Sequence, residues 1–434
     1  MTEEERRLVI QSGRVFDSIT GKLKENHTIV AISKKIVWVG DNDDFEKEEN
    51  DQIINATGKV VLPGMIEAHV HLSGTGDPQY DREYMRTKRD MYNYLALNHA
   101  QKHLVSGFTC VRDAGCYKGI ISSLKRAINS GVFAGPRIIG SETGIWQWGN
   151  QESIGPQALI DFDREVSVIT AGVDNIVYAV RDQKKLGADF IKTATTGGVL
   201  HGMESKVDFS LWTDEELIAM RKEAHRLGMH IACHAHGNQG IQAAVRAKID
   251  TIEHGSFLTE ETADMMVKAG TYLVPTRVAI VCLASSEIHK QMPPEVQTKI
   301  MECYNQAKES HRIALEKGVK FAIGTDAATP GNWHGNTGLE MKLMVDDIGM
   351  TPVQALQAAT LEGAKAIWMD ETIGSIEKSK FADIVICENN PIEDISVVID
   401  PKNFSYVIKD GKIMAKKGVI TYFSPYQEIS ITIS

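Results

Sequence analysis

The feature that most constrains the fold is a regular alternation of short apolar runs and helix-like segments between residues 61 and 369. Several helix-like segments end in glycine, a common helix stop signal. The apolar runs number eight, and they are VLPGMIEAHVHL, FTCVRDA, PRIIGS, DFIKTA, HIACHA, DTIEHG, TYLVPT and KFAIGTDA. Eight strand–helix units over about 300 residues are typical of a TIM barrel, so we predict an α/β fold with a (β/α)8 barrel. A doubly wound open sheet is the alternative, although no GxGxxG or P-loop motif follows the first run.

The two ends of the chain differ from this middle part. Residues 7–60 contain β-rich segments separated by glycine, asparagine and aspartate turn signals. The C-terminal part is similar, and the pair Asp410-Gly411 between two apolar runs is a strong hairpin signal. We therefore predict one small β-sandwich domain built from both termini, residues 1–60 plus 370–434. It accompanies a barrel domain that spans residues 61–369.

Charge and composition narrow the range of partners and compartments. The net charge is -10 and no cluster of lysine and arginine stands out, which argues against a nucleic-acid partner. The charged start, MTEEERRLVI, lacks the apolar core of a signal peptide, and no run of about 18 apolar residues suggests a membrane span. Six cysteines are scattered without CxxC spacing, which favours reduced thiols. We expect a cytoplasmic protein with no membrane partner.

Ligand-type side chains stand at the ends of several predicted strands. In a barrel these ends converge on one face, where active sites lie. Neutral imidazoles and a carboxylate are ligands of Zn²⁺ and related ions. The alternative is a set of unrelated histidines, each hydrogen-bonded in a core or on the surface. The residues at these ends are His69, His71, Lys192, His234, His236, His254 and Asp326.

Lys192 is the unusual member of this set. Burial and neighbouring positive charge lower the pKa of a lysine, and a neutral amine reacts with CO₂ to give an anionic carbamate that can bridge two metal ions. A lysine that binds substrate or forms a salt bridge is the alternative. Histidines in helical or loop segments, His99 and His103 among them, are interpreted as ordinary polar positions. Arg112 and Asp113 are expected to form a structural pair beneath the site.

The strand-end motifs resemble the amidohydrolase superfamily. The similarity runs nearly end to end, from SGRVFDSITGK and GKVVLPGMIEAHVHL to GSIEKSKFADIVICENNPIEDI. The segments FTCVRDAG, FIKTATTGGV, HAHG, DTIEHGSFL and GTDA are similar to its branch of metal-dependent dipeptidases. Members of that branch are labelled Xaa-Pro dipeptidases, imidazolonepropionase-like proteins or arginine carboxypeptidases.

The resemblance implies a binuclear metal centre with two divalent ions, Zn²⁺ being the expected metal. It implies that His69, His71 and Asp326 hold one ion and that His234 and His254 hold the other. The resemblance also implies a homo-oligomer, without indicating its form.

The same resemblance implies that a carbamate on Lys192 and a hydroxide bridge the ions, and that Asp326 moves a proton from the attacking hydroxide to the leaving amine. The expected reaction is hydrolysis of an amide bond, of the peptide or N-acyl amino acid type, in a small substrate that carries a carboxylate. A cyclic-amide hydrolase or a lactonase is the alternative enzyme. An inactive binding protein on the same scaffold is the alternative from another class.

Six side chains are predicted to contact the substrate, and the alternative for each is a purely structural role in its loop or behind the site. Relatives that release proline often have HAY where this chain has HAH, and they often have a TGGHGD-like stretch where this chain has SETGIWQWGNQES. Two tryptophans in that stretch suit an apolar or aromatic substrate group. The six residues are His236, Trp146, Trp148, His201, Arg277 and His334.

Overall fold

The computed structural model describes residues 6–79, 86–148, 167–200, 207–208, 210–422 and 424. Its strands form three sheets, two of which are entirely parallel and covered by helices, so the predicted α/β class is confirmed. The strands are β1 (Arg7–Asp17), β2 (Lys22–Ile32), β3 (Lys35–Asp41), β4 (Gln52–Asn55), β5 (Val60–Pro63), β6 (Met65–Val70), β7 (Phe108–Asp113), β8 (Arg137–Gly140), β9 (Gly144–Gln147), β10 (Ser167–Thr170), β11 (Phe190–Ala194), β12 (His230–Ala235), β13 (Thr251–His254), β14 (Tyr272–Val274), β15 (Ile384–Cys387), β16 (Phe404–Lys409), β17 (Lys412–Lys416) and β18 (Val419–Ile420).

The helices lie mainly between the parallel strands along the chain. Typical end signals define several of them. A capping box joins Thr213 and Glu216, and the longest helix has Pro294 in its first turn and Gly318 at its C-cap. The helices are α1 (Met91–Val105), α2 (Ile120–Asn129), α3 (Val173–Leu186), α4 (Asp214–Arg226), α5 (Asn238–Arg246), α6 (Glu260–Ala269), α7 (Arg277–Ala284), α8 (Ser286–His289), α9 (Pro294–Lys317), α10 (Thr337–Leu343), α11 (Pro352–Ala358) and α12 (Leu361–Ala366).

Four short helical turns complete the secondary structure in these ranges: a π-helical turn at Met344–Ile348 and 3₁₀ turns at Asn42–Asp44, Ile395–Val398 and Pro401–Asn403. Within the residues described, no helix has both the length and the apolar character needed to cross a bilayer.

Strands from both ends of the chain share the largest sheet. Its order is β18-β17-β16-β15-β5-β1-β2-β3, with β4 paired to β1. The junction is antiparallel, and Val61 of β5 faces Ile386 of β15. The two segments therefore meet in one nine-stranded sheet. Its arrangement as a two-layer sandwich, and the domain boundaries given above, stay predictions.

The parallel strands do not pair into one closed eight-stranded barrel. They form a three-stranded sheet, β6-β7-β8, and a six-stranded sheet, β10-β9-β11-β12-β13-β14. The eighth predicted strand contributes isolated bridges, Leu273 with Phe321 on one side and Val70 with Ala327 on the other. No regular ladder forms over this segment, and Asp326 within it has a left-handed backbone, with φ of 55°. Part of the loop predicted after the third strand is itself a strand, β9, which pairs with β10 and β11.

Four of the strands that lead to the site are buried along their whole length. Every residue of β6, β7, β11 and β13 is buried, which is typical of parallel strands with both faces covered. Charged groups on these strands are therefore held inside the protein and must find partners there.

Candidate metal centre

Parallel register brings the ends of three neighbouring strands to the same level. Ala194 of β11 pairs with His234 of β12, and Ala235 of β12 pairs with His254 of β13. Lys192 lies two residues before the end of β11, so its side chain points to the same face as that of Ala194. Lys192, His234 and His254, which are far apart in sequence, therefore lie at the same end of one sheet.

The first cluster consists of His69, His71 and Asp326. Their potential ligand atoms all lie within 4.8 Å of one another. The Asp326 Oδ1 atom lies 3.4 Å from His69 Nε2 and 3.2 Å from His71 Nε2. The Lys192 Nζ atom is 3.2 Å from the same His69 nitrogen. The structure thus brings the strand-one histidines together with the predicted lysine and aspartate.

The second cluster consists of His234, His236 and His254. Their potential ligand atoms also lie within 4.8 Å of one another. The ring centroids of His234 and His254 are 4.6 Å apart, and those of His69 and His254 are 5.4 Å apart. The two clusters therefore adjoin, with His69 and His254 at the contact.

Hydrogen bonds determine which nitrogen of each first-cluster imidazole is available. His69 Nδ1 donates to Glu253 Oε2 at 2.6 Å, and His71 Nδ1 donates to the carbonyl oxygen of Gly115 at 2.8 Å. A carboxylate and a carbonyl only accept, so these nitrogens carry the protons. The Nε2 atoms of both rings face Asp326, and they are the atoms that would bind a metal ion in place of a proton.

The second cluster uses a different pattern. His254 Nδ1 is 2.7 Å from the hydroxyl oxygen of Thr276, which leaves its Nε2 for a ligand. His234 is reversed, because its Nε2 donates to the carbonyl oxygen of Gly197 at 3.3 Å and its Nδ1 is the free nitrogen. The hydrogen-bond partners of the two histidines thus leave Nε2 available on His254 and Nδ1 available on His234.

The charge states fit a divalent cation. Burial lowers the pKa of His234 and of His254 well below the ordinary histidine value, so both are neutral donors. Burial also lowers the pKa of Lys192. Burial alone would raise the pKa of Asp326, but His69 and His71 hold it well below its usual range. Neutral imidazoles, an ionised carboxylate and a lysine whose pKa is depressed are a donor set that suits Zn²⁺ or a related ion.

Backbone strain is concentrated at this site. His254, Thr276 and Asp326 have φ values of 73°, 46° and 55°, in the left-handed region that non-glycine residues avoid. Each such residue costs about 1–3 kcal/mol, and such strain is typical of functional sites. At His254 the left-handed turn ends β13 and interrupts the alternation of side chains along that strand.

Two residues beneath the site have partners that sequence reasoning missed. Arg112 was expected to pair with Asp113, but its guanidinium binds Glu253 at 2.8 Å instead. Asp113 accepts the backbone N–H groups of Leu72 and Gly115. The signal for Glu253 was a carboxylate inside the apolar run DTIEHG, since a charge on a fully buried strand requires a partner.

Three of the predicted substrate residues have distinct positions. His236 joins the second cluster, and its Nδ1 is 2.8 Å from the hydroxyl oxygen of Ser256. Trp146 lies in β9 and is 8% exposed, so it is mainly a packing residue. Trp148 follows β9 and is 61% exposed, which leaves its ring available to a ligand.

Arg277 and His334 have hydrogen-bond partners within the protein, and their substrate role stays a prediction. Arg277 Nε donates to Asp347 Oδ2 at 3.0 Å, and its side chain is 2% exposed. His334 Nε2 donates to the carbonyl oxygen of Gly74 at 2.9 Å, and its other ring nitrogen is 3.0 Å from His103 Nε2. Both side chains are buried, and their polar groups already have partners within the protein. His201 lies outside the described residues.

Comparison with known proteins decides the family. The model of the Amidohydrolase family matches residues 60–414, which is most of the chain. The chain belongs to the amidohydrolase family. This amidohydrolase is 28% identical to ochratoxinase from Aspergillus niger over 439 residues, a match that covers 96% of this chain and 88% of that protein. It is 23% identical to imidazolonepropionase from Treponema denticola, with 92% of each chain covered.

Solved structures agree with the family. A Xaa-Pro dipeptidase with bound methionine in the active site is 34% identical to this amidohydrolase and superposes with a TM-score of 0.85. That match covers 94% of this chain and 99% of the dipeptidase chain. The family and these hydrolase relatives show that the protein is an enzyme acting on carbon–nitrogen bonds of the amide or peptide type.

Proposed function

We propose that this amidohydrolase holds two divalent metal ions, most simply Zn²⁺, and hydrolyses an amide bond in a small substrate that bears a carboxylate. The observation that carries the proposal is that two clusters of ligand atoms adjoin at His69 and His254, with Lys192 at 3.2 Å from His69 Nε2. In the proposed arrangement His69, His71 and Asp326 hold one ion, and His234 and His254 hold the other.

Lys192 would join the two ions as a carbamate. Its amine nitrogen forms a bond to the carbon of CO₂ and releases a proton, which requires the neutral amine that burial favours. The resulting anion offers two oxygens between two clusters that are otherwise rich in neutral imidazoles. In the proposed centre this carbamate supplies the negative charge that the second cluster lacks among its own three side chains.

Asp326 is proposed as the group that moves the proton. When bound, the ions would supply a nucleophilic water at neutral pH and polarise the scissile carbonyl. Asp326 stays ionised beside His69 and His71, so it can accept the proton of the attacking water and deliver it to the leaving amine. The products are a carboxylate and a free amine, and no serine or cysteine nucleophile is required.

The substrate class rests on three supports. The similar dipeptidase is named for Xaa-Pro dipeptides, so peptides are the first candidates, together with N-acyl amino acids, which carry the same amide bond beside a carboxylate. His236 is proposed as a substrate contact: its Nδ1 is 2.8 Å from the Ser256 hydroxyl oxygen, and in the tautomer in which that hydroxyl donates, the other ring nitrogen carries a proton and can donate to a substrate oxygen. Trp148 is proposed as an exposed aromatic surface for the substrate side chain.

A cyclic-amide hydrolase is the second candidate, which the similarity to imidazolonepropionase favours. Lactonase activity is a further outcome that the same centre allows. Location in the cytoplasm and assembly into a homo-oligomer stay predictions.

The test combines metal analysis with a substrate screen. Elemental analysis of the purified protein should find two ions per chain, whereas a single ion would indicate chemistry closer to that of a mononuclear deaminase. The metal-loaded enzyme is then incubated with dipeptides, N-acyl amino acids, cyclic amides and lactones. Amine release from the first two classes supports the proposal. Hydrolysis of cyclic amides or lactones alone supports the alternatives, and full metal occupancy without any hydrolysis supports a binding protein.

A further inference from the structure

A buried row of polar groups runs beneath the first metal cluster. Arg112 is 0% exposed, and its Nε donates to the carbonyl oxygen of Ala68 at 2.6 Å. Its two terminal nitrogens bind the Thr251 hydroxyl oxygen at 3.1 Å and Glu253 Oε1 at 2.8 Å. The guanidinium is thus held by three hydrogen bonds to neighbouring strands. It fixes the position of the Glu253 carboxylate.

Glu253, held in this position, binds the ring of His69. The carboxylate is 0% exposed, and its Oε1 also accepts the Thr251 hydroxyl proton at 2.5 Å. Its Oε2 accepts the Nδ1 proton of His69 at 2.6 Å. One carboxylate therefore connects a fixed arginine on one side with a candidate metal ligand on the other.

A second carboxyl group holds the backbone of the same histidine. Glu67 Oε1 accepts the N–H of His69 and the N–H of Thr325, both at 2.9 Å. Glu67 is 0% exposed, and burial raises its pKa to about 8. Glu67 thus holds the backbone of His69, and Glu253 holds its ring.

In the other candidate ligands, the ring nitrogen that faces away from the cluster has an uncharged hydrogen-bond partner. His71 and His234 donate to backbone carbonyls, and His254 contacts a threonine hydroxyl. Among these four imidazoles, His69 is the one whose outer partner is a carboxylate. A carboxylate partner orients the ring and makes it a stronger electron donor to a metal ion, and loss of such a partner typically weakens metal binding about 10–100-fold.

We propose that Glu253, held by Arg112, is a positioning residue that sets the metal affinity of the first cluster through His69. The inference rests on the proposed metal centre and deepens it. Loss of the Glu253 charge should weaken the binding of one ion by about 10–100-fold and leave the other ion's dissociation constant within about threefold.

The experiment measures Zn²⁺ dissociation constants by competition with a chromogenic chelator, starting from metal-free protein. The variants are Glu253→Gln and the double variant Arg112→Met with Glu253→Gln. The single variant leaves the Arg112 charge buried without its partner and can unfold, whereas the double variant removes both charges. Thermal melting of the metal-free forms and the visible spectrum of the Co²⁺ forms report folding and ligand geometry independently of activity.

Asp383→Asn is the matched control. Asp383 is a buried carboxylate 3.3 Å from Arg137, and its other oxygen accepts the backbone N–H of Asp410. These contacts join Asp383 to Arg137 and to the turn between β16 and β17, and neither involves a candidate ligand residue. Its loss should lower the melting temperature without changing either Zn²⁺ dissociation constant.

The outcomes separate the inference from the proposed function. One weakened constant in the double variant, with an altered Co²⁺ spectrum, supports the inference. Two unchanged constants in the double variant overturn it while the metal centre stands. A wild-type protein that binds no Zn²⁺ overturns the proposed function itself.

Discussion

The backbone N–H of Asp326 donates to the carbonyl oxygen of His69 at 2.7 Å. The first strand of the site and the segment that carries its aspartate are thereby joined directly at the ligand residues. The close approach depends on Gly324, where an added Cβ would lie 2.8 Å from the Cβ of His69 and 2.3 Å from Val274 Cγ1. Backbone geometry, as well as side-chain type, thus sets the distance between the two ligands.

Gly324→Ala should therefore weaken Zn²⁺ binding, because the added methyl group must push His69 or β14 away. We expect the affinity for one ion to fall by about tenfold, which is the lower end of the range seen when the groups that position a metal ligand are disturbed. Chelator competition measures it. Gly135→Ala is the control, since its Cβ would meet the side chain of Ile128 at 2.3 Å in the apolar packing of α2. Equal Zn²⁺ affinity in wild type and Gly324→Ala would contradict the prediction.

Asp326→Asn should retain metal and lose turnover. The amide oxygen can still act as a ligand, but it cannot accept the proton of the attacking water at neutral pH. We expect kcat to fall by about 10²–10⁴, the typical contribution of general acid–base catalysis. Steady-state kinetics on the best substrate of the screen, with metal content measured on the same sample, test this. Full turnover at full metal content would rule out Asp326 as the proton carrier.

Lys192→Met should reduce the metal content from two ions to one. Methionine fills a similar buried volume but cannot form a carbamate, so the second cluster loses the anion that we propose for it. Elemental analysis gives the stoichiometry, and labelled bicarbonate followed by NMR should show a carbamate carbon in the wild type alone. Two tightly held ions in the variant would instead favour His236 as the third ligand of its cluster.

The two tryptophans should behave differently when replaced by alanine. Trp146 is buried in β9, so Trp146→Ala should lower the free energy of unfolding by about 3–5 kcal/mol. Trp148 is largely exposed, so Trp148→Ala should leave stability nearly unchanged and raise KM for substrates with aromatic side chains. Urea unfolding and kinetics on matched aromatic and aliphatic substrates separate the two effects. A Trp148→Ala enzyme with unaltered aromatic preference would remove this residue from the substrate site.

Buried histidines outside the metal centre predict a loss of stability in acid. His334 stacks on His99 with ring centroids 4.0 Å apart and is hydrogen-bonded to His103. Burial lowers the pKa of His99 from 6.5 to about 4 and that of His103 to about 3. At these two histidines the unfolded chain then binds more protons than the folded one below pH 6.5. Their contribution to the free energy of unfolding is therefore fully present above that pH and falls toward about pH 4.

The expected slope is on the order of 1 kcal/mol per pH unit for each histidine within that window. Urea unfolding of metal-free protein at several pH values measures it. His103→Gln should flatten the dependence, while His27→Gln, on the outer part of β2, should not. An identical pH dependence in wild type and His103→Gln would contradict this account.

The candidate ligand residues could be selected from the sequence because strand periodicity and chain order place them at strand ends. His69 and His71 share a face two residues apart, and the other ligands follow buried apolar runs whose ends converge in parallel sheets. Their identity as a set came from residue types that suit one metal chemistry.

The partners of these ligands were not predictable in the same way. Glu253 reaches His69 rather than a neighbour in sequence, and Arg112 reaches Glu253 rather than the adjacent Asp113. His99 and His103 lie on a helix and were interpreted as ordinary polar positions, yet both are buried. Such contacts depend on which side chains of other strands and helices lie next to a residue in the fold. The local sequence pattern around that residue does not contain this information. Irregular pairing near Asp326 likewise follows from a left-handed backbone that the sequence did not reveal.

The pairing of β5 with β15 has a consequence for synthesis on the ribosome. Val61 is translated long before its partner Ile386, and the whole set of parallel strands lies between them. The growing chain must therefore carry an unpaired β5 edge while the metal-binding strands emerge, and such edges invite pairing with other chains. Completion of the large sheet is a late step that closes this edge, so variants that loosen β15 should first reveal themselves as poor yield of soluble protein rather than as altered catalysis.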